Sequence, residues 1–405
     1  MTSDSAPLAG LQVLEVSSFV AAPLGGLTLA QLGAKVIRID PAGGGPDFTR
    51  WPLAPSGASL YWAGLNKGKR SVTLDFRDPE TPRTVARLLT ASGPDGGIVL
   101  TNAVGRDWLS YDELSRHRRD LIHLQIQGRH DGSAAVDYTV NAAMGFPLVT
   151  GPEELAGPVN HVLPVWDVAC GLYAAVGLLA AERHRRRTGE GRAITLALED
   201  VAIAVAGHLG FLGEAQLTGT GRPRIGNHLY GGFARDFVVA GGERLMVVAL
   251  TSRHFRDLAE ATGLASTFAE LERLLEADFS ADADRYAHRE VIASLLAPWF
   301  AERTVEDVAH ALTGRSLLWT CYRSFTELVA DPAFAANPVV REMDQPGVGR
   351  LLVPGSPLVQ PGLGPVSPAP MLGADTADVL AGVIGPAMRD NTADQGSGTM
   401  RDALP

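Results

Sequence analysis

One aspartate in this chain stands in surroundings suited to covalent chemistry. Asp167 lies in VWDVACG, flanked by apolar Val165, Trp166 and Val168, directly before a run of small and apolar residues that reads as a long buried helix. An aspartate in that position is an ordinary helix N-cap, accepting hydrogen bonds from first-turn amides. The same amide dipoles favour an ionised carboxylate, and an ionised, desolvated carboxylate is the nucleophile that covalent acyl transfer needs. The two roles are compatible, and the residues alone leave the choice between them open.

Other sequence patterns that could carry chemistry are weak or absent. Gly25–Gly26 in the first strand-to-helix turn do not make GxGxxG, so a nicotinamide site is poorly supported even with Asp40 ending the second strand. There is no Walker loop, no GxSxG and no Cys–His pairing of hydrolase type. The ten histidines show no HExxH or other ligand spacing, so no metal site is expected.

Basic residues recur near the ends of expected strands. Arg38 ends the second; Lys67, Lys69 and Arg70 precede the third and Arg77 follows it; Arg106 follows the fourth and Arg129 the fifth. Such side chains either converge on one phosphate-binding crevice or are scattered surface charges, as basic residues usually are.

The elements that must position these residues are legible from apolar patterning. LQVLEVS at 11–17, KVIRID at 35–40, SVTLDF at 71–76, GIVLTN at 97–102 and LIHLQIQ at 121–127 read as strands, with helices between them near 80–91 and 110–117. Repeated βαβ units predict a parallel, doubly wound sheet with ligands at the strand ends. Trp166–Arg187 predicts a buried helix whose terminal RHRRR is a solvated end stopped by Gly189 or Gly191. A second helix is expected at about 194–216, then a smaller α/β domain over 225–315 containing strand 245–250. Residues 335–370, rich in Pro and Gly, read as an extended segment, and the last 18 residues as a polar frayed end.

Bulk composition narrows the function. With 46% apolar and 20% charged residues, the 405-residue chain can build a sizeable core. A net charge of −10 argues against nucleic-acid partners. Two cysteines make no disulfide framework, and no signal peptide is visible. The longest apolar stretch, Val168 to Ala181, reads as too short to span a bilayer. A cytoplasmic protein without a membrane partner is expected.

Taken together, PLAGLQVLEVSSFVAAPLGGLTLAQLGAKVIRID with the following GGGPD, NKGKRSVTLD, DVACGLYAAVGLLAAERHRRRTGEG and APMLGADTADVL closely resemble the class III coenzyme A transferases, across nearly the whole chain. SSFVAAPLGG, WAGLNKGKRS, WLSYDEL, GRHDGSAAVDYTVN, VNHVLP and RPRIGNHLYGG look like the branch of that family acting on mesaconyl-CoA. The resemblance implies a large doubly wound, Rossmann-like domain plus a smaller α/β domain in an interlocked homodimer. It divides the chain into 1–190 as the N-terminal part of the large CoA-binding domain, 191–224 as a helical linker, 225–315 as the small domain, and 316–405 as a return segment with the C-terminal part of the large domain.

It also implies that Asp167 is the catalytic aspartate. Val20, Ala21, Arg38, Leu74, Arg77, Asn102, Ala103, Arg106, Gln127 and Arg129 would contact CoA or the acyl group, with Gln127 standing where some members have lysine. Gly231–Gly232 is a loose counterpart of a glycine lid, and Val136 replaces the histidine a racemase needs before its aspartate. The implied activity is transfer of CoA from carbon 1 to carbon 4 of mesaconyl-CoA through an aspartyl-CoA thioester, CoA entering only as part of the acyl-CoA substrate and no other cofactor being tightly bound. The alternatives are transfer between an acyl-CoA and a separate acid, or a non-catalytic CoA- or nucleotide-binding protein.

Overall fold

A computed structural model describes residues 5–358 and 362–382. The final 18 residues, expected to fray, lie outside that set. Strand β1 (Gln12–Val16) leads to helix α1 (Ala21–Gln31), β2 (Lys35–Pro41), α2 (Leu60–Leu65), β3 (Arg70–Leu74), α3 (Thr81–Thr90), β4 (Ile98–Thr101), α4 (Tyr111–Leu114) and β5 (Ile122–Gln127). These five strands and a later sixth, β6 (Arg192–Ala197), form a parallel sheet in the order β3-β2-β1-β4-β5-β6. Their nearly continuous apolar runs follow from helices covering both faces of a parallel sheet. Leu14, Val16, Ile37, Ile39, Val72 and Val99 pack with Val85, Leu88 and Leu89 of α3 in one buried core.

Downstream come α5 (Asp137–Ala143), α6 (Phe146–Val149) and α7 (Val165–Thr188), the last ended by Gly189 in a left-handed conformation (φ 77°). Residues expected to start a helix at 194 instead form the sixth strand, β6 (Arg192–Ala197), followed by separate helices α8 (Leu198–His208) and α9 (Phe211–Thr218). The β6 residues are mostly exposed or half-buried, as an edge strand allows, so no apolar run announced them.

By its internal contacts the chain divides into two units. One is drawn from residues up to Met144, Val162–Leu209 and the chain from Ala333 onward; the other from Gly145–His161 and Gly210–Pro332. The second holds an antiparallel sheet of β7 (Phe233–Val238), β8 (Arg244–Ala249) and β9 (Leu318–Cys321), packed with five helices, α10 to α14, between Ser252 and Leu312. Phe233, Phe237, Phe255, Phe268, Phe279 and Phe300 fill its core.

After the short helices α15 (Phe325–Ala330) and α16 (Pro332–Ala335), part of the Pro/Gly-rich stretch pairs as an antiparallel hairpin, β10 (Val340–Gln345) with β11 (Gly349–Pro354). The chain then returns to the edge of β3, where α17 (Thr376–Ala381) is the last of the described helices. There Asp375 accepts from the Ser71 amide (2.9 Å) and pairs with Arg70 (3.0 Å), while the Thr376 hydroxyl accepts from the Thr73 amide (3.0 Å). The closing APMLGADTADVL segment thus satisfies an edge strand that would otherwise present open donors.

Helix α7 positions the site. Its 24 residues are long and apolar enough to cross a bilayer, correcting the shorter estimate from sequence, but it serves as a core helix lying on α1 and β5. Small residues allow the close approach: a Cβ on Gly171 would lie 2.6 Å from the Ala21 carbonyl oxygen, and one on Gly25 would lie 3.1 Å from the Gly171 carbonyl. The basic end of α7 is not wholly solvated. Arg185 is buried and donates to the Gly96 carbonyl at 2.6 Å, tying α7 to the start of β4.

Candidate active site

Asp167 lies in the first turn of α7, two residues inside its start, and does not cap the helix. That role belongs to Asp137, the first residue of α5. The Asp137 Oδ2 accepts from the amides of Trp166 (2.7 Å) and Asp167 (3.1 Å), and Asp137 itself is buried. Among the described residues no hydrogen bond reaches the Asp167 carboxylate. The expectation of a carboxylate held ionised by helix amides is therefore corrected: burial, then the like charge of Asp137, push Asp167 up to about 7, with Arg50 opposing. Cys170, one turn further along, is fully buried, and burial and Asp167 push its thiol up to about 12, which makes it a poor competing nucleophile.

Arg50 was not singled out by sequence reasoning. It follows β2 at the end of the glycine loop, its guanidinium 5.3 Å from the centroid of the Phe19 ring and 5.1 Å from that of Tyr61. Phe19 is 40% exposed and adopts a positive φ of 62°, a conformation uncommon outside glycine that turns its ring outward just before α1. Burial raises the Tyr61 hydroxyl to about 12, opposed by Arg50 and reinforced by Asp167. Asp167, Asp137, Arg50, Phe19 and Tyr61 thus gather where α7, α5, the β2 loop, the β1 loop and α2 meet. A basic residue in the loop leaving the carboxyl end of β2 was the available signal for Arg50.

The residues expected to contact CoA separate into three groups. Val20 and Ala21 are buried at the start of α1, beside α7. Asn102 pins their loop to β4: its Oδ1 accepts from the Ser18 amide (2.9 Å) and its Nδ2 donates to the Ser18 carbonyl (2.8 Å). This clamp sits between β1 and β4, where the strand order reverses and open α/β sheets bind ligands.

Ala103, Arg106 and Gln127 line one cavity of about 250 Å³ at the strand ends. Arg106 lies over the Phe76 ring at 4.6 Å. The Gln127 amide donates to the carbonyls of Arg129 (2.7 Å) and His130 (2.9 Å), shaping the next loop. Arg77 and Arg129 are exposed, and Leu74 ends β3 half-buried. A larger cavity of about 470 Å³, lined in part by Gln31, Gly33 and Lys67, opens at the opposite, amino-terminal edge of the strands. Three of the expected CoA contacts line the smaller one, and Asp167 lines neither.

Arg38 does not belong with these residues. It is 1% exposed, and its guanidinium donates to Asp40 (3.0 Å), Asp47 (2.8 Å), Asn66 (3.1 Å) and the Ser17 carbonyl (3.1 Å) while lying 4.4 Å from the Trp62 ring centroid. Burial works against its charge, but Asp40, Glu15 and Asp47 outweigh that and hold its pKa above the ordinary value. Lys69 is buried against Glu15 at 2.8 Å, and burial brings it down to about 8. The Lys67 ammonium donates to the Gly64 carbonyl at 2.6 Å, and Arg70 pairs with Asp375 and Asp378. The expected convergence of basic residues at one crevice thus fails for these four, because buried or local carboxylates and carbonyls take their donors.

An open parallel α/β sheet with a half-buried carboxylate in the first turn of a helix is an arrangement on which covalent acyl transfer can be built. The sequence profile described as CoA-transferase family III matches residues 8–376, and the chain belongs to that family. It is 50% identical over 384 residues to 2-methylfumaryl-CoA isomerase of Chloroflexus aurantiacus, covering 93% of this chain and 94% of that one. It is 27% identical over 404 residues to succinate–glutarate CoA-transferase of Agrobacterium fabrum, covering 94% and 96% of the two chains. In fold it is similar to a CAIB/BAIF family protein from Brucella suis, with a TM-score of 0.78 and 24% identity over 94% of this chain and 100% of that one.

Proposed function

We propose that this enzyme moves CoA from carbon 1 to carbon 4 of mesaconyl-CoA (2-methylfumaryl-CoA), with Asp167 as the covalent carrier. The observation that carries the reading is the 50% identity, along almost the whole of both chains, to 2-methylfumaryl-CoA isomerase. The half-buried, unbonded carboxylate of Asp167 supports its assignment.

In the proposed sequence, the Asp167 carboxylate attacks the C1 thioester carbonyl; the C–S bond breaks, giving an acyl–aspartyl anhydride and CoA thiolate. The thiolate attacks the aspartyl carbonyl, releasing the C1 carboxylate and leaving an aspartyl-CoA thioester. The C4 carboxylate then attacks that thioester, again expelling thiolate. Thiolate attack on the C4 acyl carbonyl gives the 4-CoA ester and regenerates Asp167. Both intermediates hydrolyse in water, and buried Trp166 with the rings of Phe19 and Tyr61 supplies apolar cover. Val20, Ala21, Leu74, Arg77, Asn102, Ala103, Arg106, Gln127 and Arg129 are proposed to hold the CoA moiety, and Arg38 acts beneath them.

The proposed working form is a cytoplasmic, interlocked homodimer; exposed Leu172, Tyr173 and Val176 on α7 suit burial by a second copy.

Incubation with mesaconyl-1-CoA and no added acceptor, followed by chromatography, should yield the 4-CoA ester. A requirement for a separate acid would replace the intramolecular reading with an intermolecular one. Hydroxylamine or borohydride should modify Asp167 during turnover, and Asp167→Ala should lose at least ~10³-fold in rate, as nucleophile removal does elsewhere.

A further inference from the structure

We infer that Arg50 is the acyl-specificity element, binding the substrate carboxylate that is not joined to CoA. This rests on the dicarboxylyl-CoA reading above. Arg50 is held at its backbone: its amide donates to the Asp47 carbonyl (3.3 Å), and its carbonyl accepts from the Ser59 hydroxyl (2.6 Å). Asp47 is in turn fixed by Arg38 (2.8 Å). The Arg50 side chain is exposed, and among the described residues no carboxylate forms an ion pair with it. Its neighbours are Phe19 and Tyr61: their ring faces hold the guanidinium and the Tyr61 oxygen accepts from one of its N–H groups, leaving the rest of its planar fork for a carboxylate.

Charge balance leads to the same residue. Asp167 and Asp137 already place two carboxyl groups at the start of α7, and Arg50 is the cation that acts on Asp167. A dicarboxylyl ester brings a third. Without a facing cation its free end would be repelled as the thioester approached the nucleophile. Arg50, close enough to act on Asp167, can receive that end while the other carbonyl is attacked. Its fork would then serve either end of the same diacid as CoA changes carbon.

The test compares mesaconyl-1-CoA with tiglyl-CoA, the isostere in which a methyl group replaces the free carboxylate. The readout is formation of the hydroxylamine-trapped aspartyl thioester by the full-length enzyme. Arg50→Gln should lower kcat/KM for mesaconyl-1-CoA by about 10–150-fold, the range for losing a hydrogen bond to a charged group. The tiglyl-CoA rate should fall by less, through the part of the loss that acts on Asp167 and is common to both esters, so that the preference for the diacid collapses. Arg50→Lys should fall between, keeping charge without the fork. An equal loss on both esters would overturn the inference and make Arg50 an auxiliary of Asp167. If the wild-type enzyme forms no aspartyl thioester with either ester, the proposed function fails instead. Calorimetric binding of the two esters then decides the inference: Arg50→Gln must weaken mesaconyl-1-CoA selectively, and equal affinities throughout would overturn it.

Discussion

Two groups of acidic side chains in the same unit are treated in opposite ways. Beneath β1 and β2, Glu15, Asp40 and Asp47 are almost wholly excluded from solvent, yet Arg38 and Lys69 meet them at 2.8 to 3.0 Å. At the start of α7, Asp137 takes the amides and leaves Asp167 with a like charge as its neighbour. A buried charge that is fully paired costs much to break and has little left to react with. A carboxylate denied its amides has a pKa near neutrality and an open face. The difference separates a foundation from a reagent.

The largest expected effect comes from unpairing the first group. Arg38→Met leaves two buried carboxylates, Asp40 and Asp47, without their cation and should cost about 3–5 kcal/mol of stability in urea unfolding, the range for breaking a buried pair from one side. A loss below about 1 kcal/mol would remove the cluster as the anchor of the 41–50 loop.

A smaller effect should follow from relieving the second group. Burial and Asp137 raise Asp167 from 3.8 to about 7, so the acid limb of kcat/KM should fall away below pH 7 as the nucleophile takes up a proton. Asp137→Asn keeps an acceptor oxygen for the α7 amides but removes the like charge. Its acid limb should move to lower pH, making it faster than wild type at pH 6 by about fivefold if the move is a full pKa unit. An unmoved limb would mean that Asp137 does not set the nucleophile's proton affinity. The same shift bears on stability. The folded protein keeps a proton on Asp167 that the unfolded chain releases, so this contribution is present below about pH 4 and lost as pH rises through 7. Asp167→Asn should flatten that slope in thermal melts taken between pH 4 and 8.

The smallest effect is expected at Arg77, 91% exposed and, among the described residues, paired only with Asp75. Arg77→Ala should leave the melting temperature within about 1 °C, since exposed pairs contribute little. It should raise KM for the CoA ester severalfold, with kcat little changed. A large stability loss would place Arg77 with the paired group rather than with the ligand.

Much of the architecture could be read in advance, for physical reasons. The inner strands of the sheet are buried on both faces, and burial writes itself as apolar runs such as VLEV and IVLT. Strand β6 lies at the sheet edge and is half wet, so RAITLA merged with the helical pattern after it. Asp167 was legible from its apolar flanks; its true partner Asp137, 30 residues earlier, was not, because the contact is tertiary. Arg38 was legible as basic and near a strand end, but nothing local said that Asp47 would swing back over it. Arg50 and Tyr61 lie in a loop and a six-residue helix, and only the folded chain brings them together.

The contact between Gly25 and Gly171 has a kinetic meaning as well as a packing one. Helix α1 begins where Val20 and Ala21 end their loop, and Asp167 rides one turn ahead of Gly171, so the closeness of the two helices gauges how far the nucleophile stands from that loop. Attack requires reacting atoms within about 3–3.5 Å, and an error near 1 Å can cost ~10²-fold in rate. One added methyl group at this crossing, remote from any reacting atom, would therefore act on the reaction as a change in effective molarity.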